Sequence, residues 1–253
     1  MKISSRVWNN YIKRLRMLDD KAAALVEAYI STHDVSTEAG LTALITYCYA
    51  IATKYGEGSA ALSAQMYDAV ADLSGEYLPP AVPAQTASYN QTSRTVQGAR
   101  LFSTDPEVTG AAVARLVKQA GVDTTMHNAL RDGAEWAWIP SGDTCAFCLT
   151  LASRGWQKAS RNALQNGHAE HIHNNCDCTY AVRFDSSTNV EGYDPDEYYD
   201  WYKSEPGKPK DKINAMRREM YADNKEAINA QKRSAYAKRK ELNSPAAEEL
   251  KVD

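Results

Sequence analysis

Four of the five cysteines in this 253-residue chain stand in two tight pairs, and this spacing limits how the segment that carries them can fold. The pairs are Cys145-x-x-Cys148 and Cys176-x-Cys178, and His173 precedes the second pair by three residues. Thiolates this close together can turn toward one ion, and a second pair from a distant segment completes the four tetrahedral positions of a structural zinc site. The spacing therefore predicts one structural zinc ion, for which five candidate ligands compete for four positions.

Two other states of these cysteines are compatible with the same spacing. They could form disulfides, for instance Cys148 to Cys176, or remain reduced as thiols in a small core. The N-terminal segment lacks the apolar stretch of a signal peptide, so we expect a reducing cytosol, where paired cysteines hold metal more often than they form disulfides. The fifth cysteine, Cys48, lies on an apolar helical stripe and is predicted to be a small buried hydrophobic residue.

The first third of the chain has the three-and-four apolar spacing of amphipathic helices. One predicted helix runs from Val7 to about Tyr29, a second ends at Gly56 and a third ends at Gly75. The three prolines of YLPPAVPAQ then predict a turn or linker, because proline cannot continue a helix.

Asp105-Pro106-Glu107 predicts the start of another helix. Aspartate caps the first turn, proline fits the first helical position and an acidic side chain is favoured at the positive end of the helix dipole. A last helical stretch ends at Asp132-Gly133, and from Trp136 alternating apolar residues predict strands instead.

Charge is strongly segregated near the C-terminus. Residues 185–205 carry seven acids against one base, and residues 208–240 carry eleven bases against four acids. This pattern predicts an extended acidic linker followed by a basic helical tail that lies outside the core. The whole sequence thus predicts a mainly α (α+β) protein in three parts: a helical domain (1–133), a Cys/His module with short strands (134–185), and the acidic linker with its charged helical tail (186–253).

Several classes of function have no signal in the sequence. No apolar run approaches the ~18 residues of a membrane span. The chain has no glycine-rich phosphate loop, no G-x-S-x-G elbow and no H-E-x-x-H motif, so no enzyme is predicted. His168-Ala169-Glu170 matches half of the zinc deaminase signature, but it follows the C-x-x-C pair instead of preceding it, and Thr144 replaces the proline of that signature.

The cysteine module resembles a known family. WIPSGDTCAFCLTLASRGW followed by HIHNNCDCTYAVRF resembles the C-terminal module of minor head proteins of tailed bacteriophages, of the phage Mu protein F type, over about residues 131–184. That family has D-x-C-x-x-C, an Arg-Gly stretch and H-x-x-C-x-C; where its members commonly have proline after the histidine, this chain has Asn174. The matching positions are Asp143, Cys145, Cys148, Arg154, Gly155, His173, Cys176 and Cys178.

The resemblance implies a minor capsid, or head morphogenesis, protein: a low-copy structural component of the virion, in the capsid interior near the portal and made in the host cytoplasm. It implies action in head assembly and in DNA packaging or ejection, with the portal protein and/or the major capsid protein as partners. It implies no well-established chemistry, and we expect no small-molecule substrate. Packaged DNA is a further expected partner, through the basic tail. The alternatives are a nucleic-acid-binding zinc protein, or a zinc-dependent enzyme acting on nucleic acid with Glu170 as general base.

Overall fold

The computed structural model describes residues 2–141, 144–161 and 178–223, and the single positions 225, 226, 229 and 233. The described helices are α1 (Ser5–Thr32), α2 (Glu38–Ser74), α3 (Tyr89–Phe102), α4 (Pro106–Asp132), α5 (Ala146–Ala152), α6 (Pro195–Ser204) and α7 (Pro209–Asp223). The strands are β1 (Lys2–Ile3), β2 (Glu135–Ile139), β3 (Gln157–Lys158), β4 (Thr179–Arg183) and β5 (Asn189–Val190). The predicted mainly α class with a few short strands is confirmed. No helix in these ranges is both long enough and apolar enough to cross a membrane.

The helix boundaries agree with the capping signals except at Gly56. Asp105 caps α4, whose C-terminal Gly133 has a φ of 66°, and Gly75 ends α2 with a φ of 71°. The predicted stop at Gly56 is wrong, because this glycine lies inside a continuous 37-residue α2. A Cβ there would lie 2.9 Å from Thr86 Cγ2, so the missing side chain lets the segment after the prolines approach the helix.

Helix α3 was not indicated by apolar spacing. Of its 14 residues only Thr92 and Val96 are buried, which is too few to make an amphipathic stripe. Cys48, in contrast, is fully buried in a cluster of α1, α2, α3 and α4 residues, as predicted. Burial raises the pKa of its thiol to about 12.

The proline segment between α2 and α3 is an extended strap held by side chains of the helices beneath it. The backbone N–H of Ala81 donates to Asp68 Oδ1 at 2.8 Å. Asn128 accepts from Val82 N and donates to Val82 O, both at 2.9 Å. Side chains of the helices thus supply hydrogen bonds to the strap's backbone at positions where secondary structure supplies none.

Three strands in the order β3-β2-β4 form an antiparallel sheet next to the helices. One hydrophobic core contains residues on both sides of the predicted boundary at residue 133, among them Trp8, Tyr67 and Met126 on the helices and Trp138 and Tyr180 on the sheet. The boundary therefore marks a change from helix to strand while the core continues across it. The division into three domains stays a prediction.

The N-terminus is joined to the segment that follows the sheet. β1 pairs in parallel with β5, with Ile3 opposite Val190. The backbone N–H and the hydroxyl of Ser5 both donate to Glu191 Oε2, at 2.7 and 2.6 Å. Glu191 thereby places a negative charge at the positive end of α1.

The C-terminal segment differs from the predicted extended linker and separate tail. Residues 195–204 form α6, which Asp194 caps by accepting from Asp196 N at 3.0 Å. Helices α6 and α7 pack on α5, and Met216 of α7 has no exposed surface. The expectation that the tail lies outside the core is therefore wrong for residues 209–223, because a thin apolar stripe is enough to dock a helix on a neighbouring apolar surface.

Candidate functional site

The first cysteine pair lies at the start of α5. Cys145 is the N-cap residue, with an extended backbone (φ −76°, ψ 158°), and Cys148 follows in the first turn. Residues three apart on a helix are neighbours on its surface, so the C-x-x-C spacing brings the two thiols to the same end of α5. Cys148 is fully buried and Cys145 is half-buried.

Cys178 comes from the other cysteine pair and lies directly before β4. The antiparallel pairing of β2 and β4 sets Ile139, the last residue of β2, opposite Thr179, the first residue of β4. The described residues directly after β2 therefore lie near Cys178, the described residue directly before β4. The hydroxyl of Thr144 lies 3.6 Å from Cys178 Sγ, which shows that the two cysteine segments meet.

The remaining predicted ligands, His173 and Cys176, lie outside the described residues, as do Asp143, His168, Glu170 and His171. Within the described ranges, no group of three or more His, Cys, Asp or Glu side chains is placed to hold a metal ion. The described thiols fit zinc in their chemistry but do not form a complete site by themselves. The zinc site, its exact ligands and the two alternative states of the cysteines stay predictions.

Helix α5 is buried on two sides although it has only seven residues. Cys148, Leu151 and Ala152 belong to the core shared by the long helices and the sheet. Ala146 and Leu149 belong to a second cluster, built around Met216 of α7. Helix α5 is therefore the part of the cysteine module that joins the main body to the C-terminal helices.

Aromatic contacts hold the sheet beside the cysteines. The ring of Tyr180 on β4 packs edge-on against Trp136 and Trp138 of β2, with centroid distances of 4.6 and 4.5 Å. Such pairs add about 0.5–1.5 kcal/mol each beyond the area they bury. The start of β4, and with it Cys178, is thus fixed on rigid strands.

The Arg-Gly stretch of the sequence motif ends α5. Gly155 has a φ of 65°, a left-handed conformation that favours glycine. The hydroxyl of Tyr193 donates to the carbonyl of Ala152 at 2.7 Å, a carbonyl that also accepts from the Gly155 N–H at 3.1 Å, so the end of the helix is tied to the segment after the sheet. Burial raises the pKa of Tyr193.

Sequence reasoning missed both Tyr193 and Thr144 as supports of the cysteine module. Tyr193 lies in the acidic stretch for which the charge pattern predicts an extended linker, and Thr144 stands where the deaminase signature has proline. The signal for Thr144 is its position directly before Cys145, the N-cap residue of α5. Tyr193 carries no comparable local signal, since its partner lies 41 residues away in the chain.

The sequence profile of the VG15 protein family matches residues 2–205. This chain belongs to the VG15 protein family. The match covers the long helices, the cysteine module and α6, and α7 lies beyond it. VG15 is a family of viral gene proteins, so the chain is a bacteriophage protein with a virion-related role. No curated protein and no solved structure matches the chain.

Proposed function

We propose that this chain is a bacteriophage minor capsid, or head morphogenesis, protein. It is a structural component of the capsid interior near the portal, and it acts in head assembly and in DNA packaging or ejection. The observation that carries the proposal is the meeting of the C-x-x-C segment at the start of α5 with Cys178 at the start of β4, in a member of a viral family. The same cysteine spacing supports the resemblance to the Mu protein F type of minor head protein.

In the proposed role, the cysteine module links parts of the protein rigidly. Cys145 and Cys148, with two of His173, Cys176 and Cys178, would hold one zinc ion between the start of α5 and the start of β4. A structural zinc ion contributes to folding because its binding site exists only in the folded chain. The protein's own residues then transmit this constraint, since α5 contacts both the main core and the C-terminal helices.

The proposed role is one of binding other head proteins without catalysis. Leu101 and Phe102, at the end of α3, are 90 and 85% exposed. Two adjacent apolar side chains this exposed gain free energy when a partner covers them, at about 25 cal/mol per Å² of apolar surface. They are candidate contacts for the portal protein and/or the major capsid protein.

Packaged DNA as a partner of residues 208–240 also remains part of the proposal. Most of that segment beyond α7 lies outside the described residues. The eleven bases of residues 208–240, against four acids, support DNA as the partner of this segment.

Removing the gene from the phage and complementing it from a plasmid tests the proposal. Without the protein we expect tails and head shells but few DNA-filled, infectious heads, and rescue by the unchanged chain. The Leu101→Ser/Phe102→Ser double variant should fail to rescue, because it removes the proposed docking contact from an exposed site that the fold does not need. Val82→Ser, which changes a strap residue that is 64% exposed, is the matched control and should rescue.

Normal infectious titre and normal DNA filling in the absence of the protein would contradict the proposal. If the control Val82→Ser also failed to rescue the phage, the loss of rescue would reflect general damage to the fold. That result would contradict the docking contact.

A further inference from the structure

The solvent-facing side of α1 carries a row of bases that the cysteine module does not explain. Arg6, Lys13, Arg14 and Lys21 are all exposed. Arg6 to Lys13 and Arg14 to Lys21 are steps of seven residues, or about two helical turns, so the four bases form two rows within an arc of about 100°. Among the described residues of α1, one exposed acid, Asp20, lies at the edge of this arc. We call these four bases the α1 basic face.

The face is held rigidly outward by the other side of the same helix. Trp8, Tyr11, Ile12 and Leu15 are buried in the main core, so α1 cannot rotate its bases away from solvent. The same burial prevents α1 from inserting an apolar side into a bilayer. The bases extend over about 22 Å of a fixed helix.

The chain itself does little to neutralise this charge. In the part of the chain that the structure describes, none of the four bases takes part in an ion pair. The α1 basic face belongs to a chain whose formal net charge is −3, so its positive charge is local.

The composition of the face fits phosphate groups better than a protein partner. Protein interfaces have an apolar centre from which lysine is depleted. Here Met17 is the single apolar residue between the rows, and it is accompanied by Asn10. Phosphate oxygens, in contrast, are bound by lysine, arginine and asparagine side chains without any apolar centre.

We propose that the α1 basic face binds the phosphate backbone of double-stranded DNA without sequence preference. The inference deepens the proposed function, on which it rests for the source of the DNA: packaged DNA would lie against α1, through bases other than those of the basic tail. The binding itself is measured on the isolated full chain, and its failure would leave the complementation test in phage unaffected.

The experiment measures binding of the full chain to a short fluorescein-labelled DNA duplex by fluorescence anisotropy over a series of salt concentrations. Each phosphate contact contributes about 0.9 to the slope of log affinity against log salt. The Arg14→Gln/Lys21→Gln variant should therefore lower the magnitude of that slope by about 1.8, and Lys13→Gln alone by about 0.9.

A matched variant removes the same charge elsewhere. Arg94 on α3 and Lys54 on α2 are both exposed, and Arg94→Gln/Lys54→Gln changes the net charge by the same amount. Its slope should equal that of the unchanged chain.

Three outcomes would overturn the proposal. The first is no binding of the duplex by the unchanged chain. The second is an equal fall in slope for the two double variants, which would assign the effect to net charge. The third is displacement of the DNA by poly-L-glutamate as readily as by unlabelled duplex, which would point to an acidic protein instead.

Discussion

Replacing Met216 with alanine should loosen the C-terminal helices from the rest of the protein. The Met216 side chain is completely buried, and it packs on Ala146 and Leu149 of α5, which are 1 and 8% exposed. Trp201 and Tyr202 of α6 surround the same cluster. The substitution removes the only completely buried side chain that α7 contributes among the described residues.

The size of the effect follows from this burial. Full burial of a methionine side chain is worth about 1.5–3 kcal/mol, and methionine-to-alanine changes in cores cost about 2–5 kcal/mol. Among the described residues this cluster has three buried members, and the side chains around them are partly exposed, so the neighbours can partly close the space. We expect a loss of about 2 kcal/mol, at the lower end of that range, which raises the population with α7 undocked by roughly 30-fold.

Hydrogen exchange of the backbone amides over residues 195–223 measures this opening, and guanidinium denaturation measures global stability. Arg217→Ala is the matched control, since Arg217 is the next residue on α7 and is exposed. Faster exchange in α7 for Met216→Ala but not for Arg217→Ala is the expected result. Equal exchange in the two variants would refute the reasoning and would restore the view of residues 209–223 as a separate arm.

Three further predictions concern packing, metal and pH. Gly121→Ala should lower the unfolding free energy by about 1–3 kcal/mol, because its Cβ would lie 2.6 Å from a serine hydroxyl of α2. Gly98→Ala should raise the unfolding free energy by about 0.5–1 kcal/mol, because no atom lies within 4 Å of its Cβ. Thermal unfolding compares the two variants, and stability changes of the same sign would contradict the packing. Cys148→Ala should abolish a zinc content of one per chain, measured by mass spectrometry of the metal, and Cys48→Ala should preserve it; equal zinc in both variants would exclude Cys148 as a ligand. Burial alone would raise the pKa of Asp132, but hydrogen bonds from the adjacent arginine and a buried tyrosine lower it below its ordinary value of 3.8. The stabilising contribution of this carboxylate is therefore complete above pH 3.8 and is lost as pH falls through the lowered pKa. Asp132→Asn should flatten the decline of unfolding free energy at acid pH, and an unchanged decline would count against this assignment.

Local signals in the sequence were reliable where the deciding contacts are themselves local. Asp105 accepts from the backbone two residues on, and Gly75 ends α2 by its own left-handed conformation. Gly56 and Gly75 are both glycines, but they have different structural roles. Gly56 leaves room for Thr86, which belongs to another segment of the chain. No local pattern separates these two uses of glycine.

The candidate site divides in the same way. The pair of Cys145 and Cys148 could be predicted from spacing, because both thiols belong to one turn of helix. The meeting of Thr144 with Cys178 depends on the pairing of β2 with β4, and the docking of Met216 depends on an apolar side of α5 far upstream in the chain. The charge pattern predicts a detached tail because it reflects only the local balance of acids and bases. It carries no information about the apolar surface of α5 on which the tail docks.

The central claim, that this chain is a low-copy structural protein of the phage head, is tested most directly by quantitative mass spectrometry of purified virions and of heads separated from their tails. The account predicts that the chain is present in both preparations, at far fewer copies than the major capsid protein, and that it resists protease until the heads are opened. Its absence from purified heads, with the protein found only in the soluble fraction of the lysate, would contradict the account.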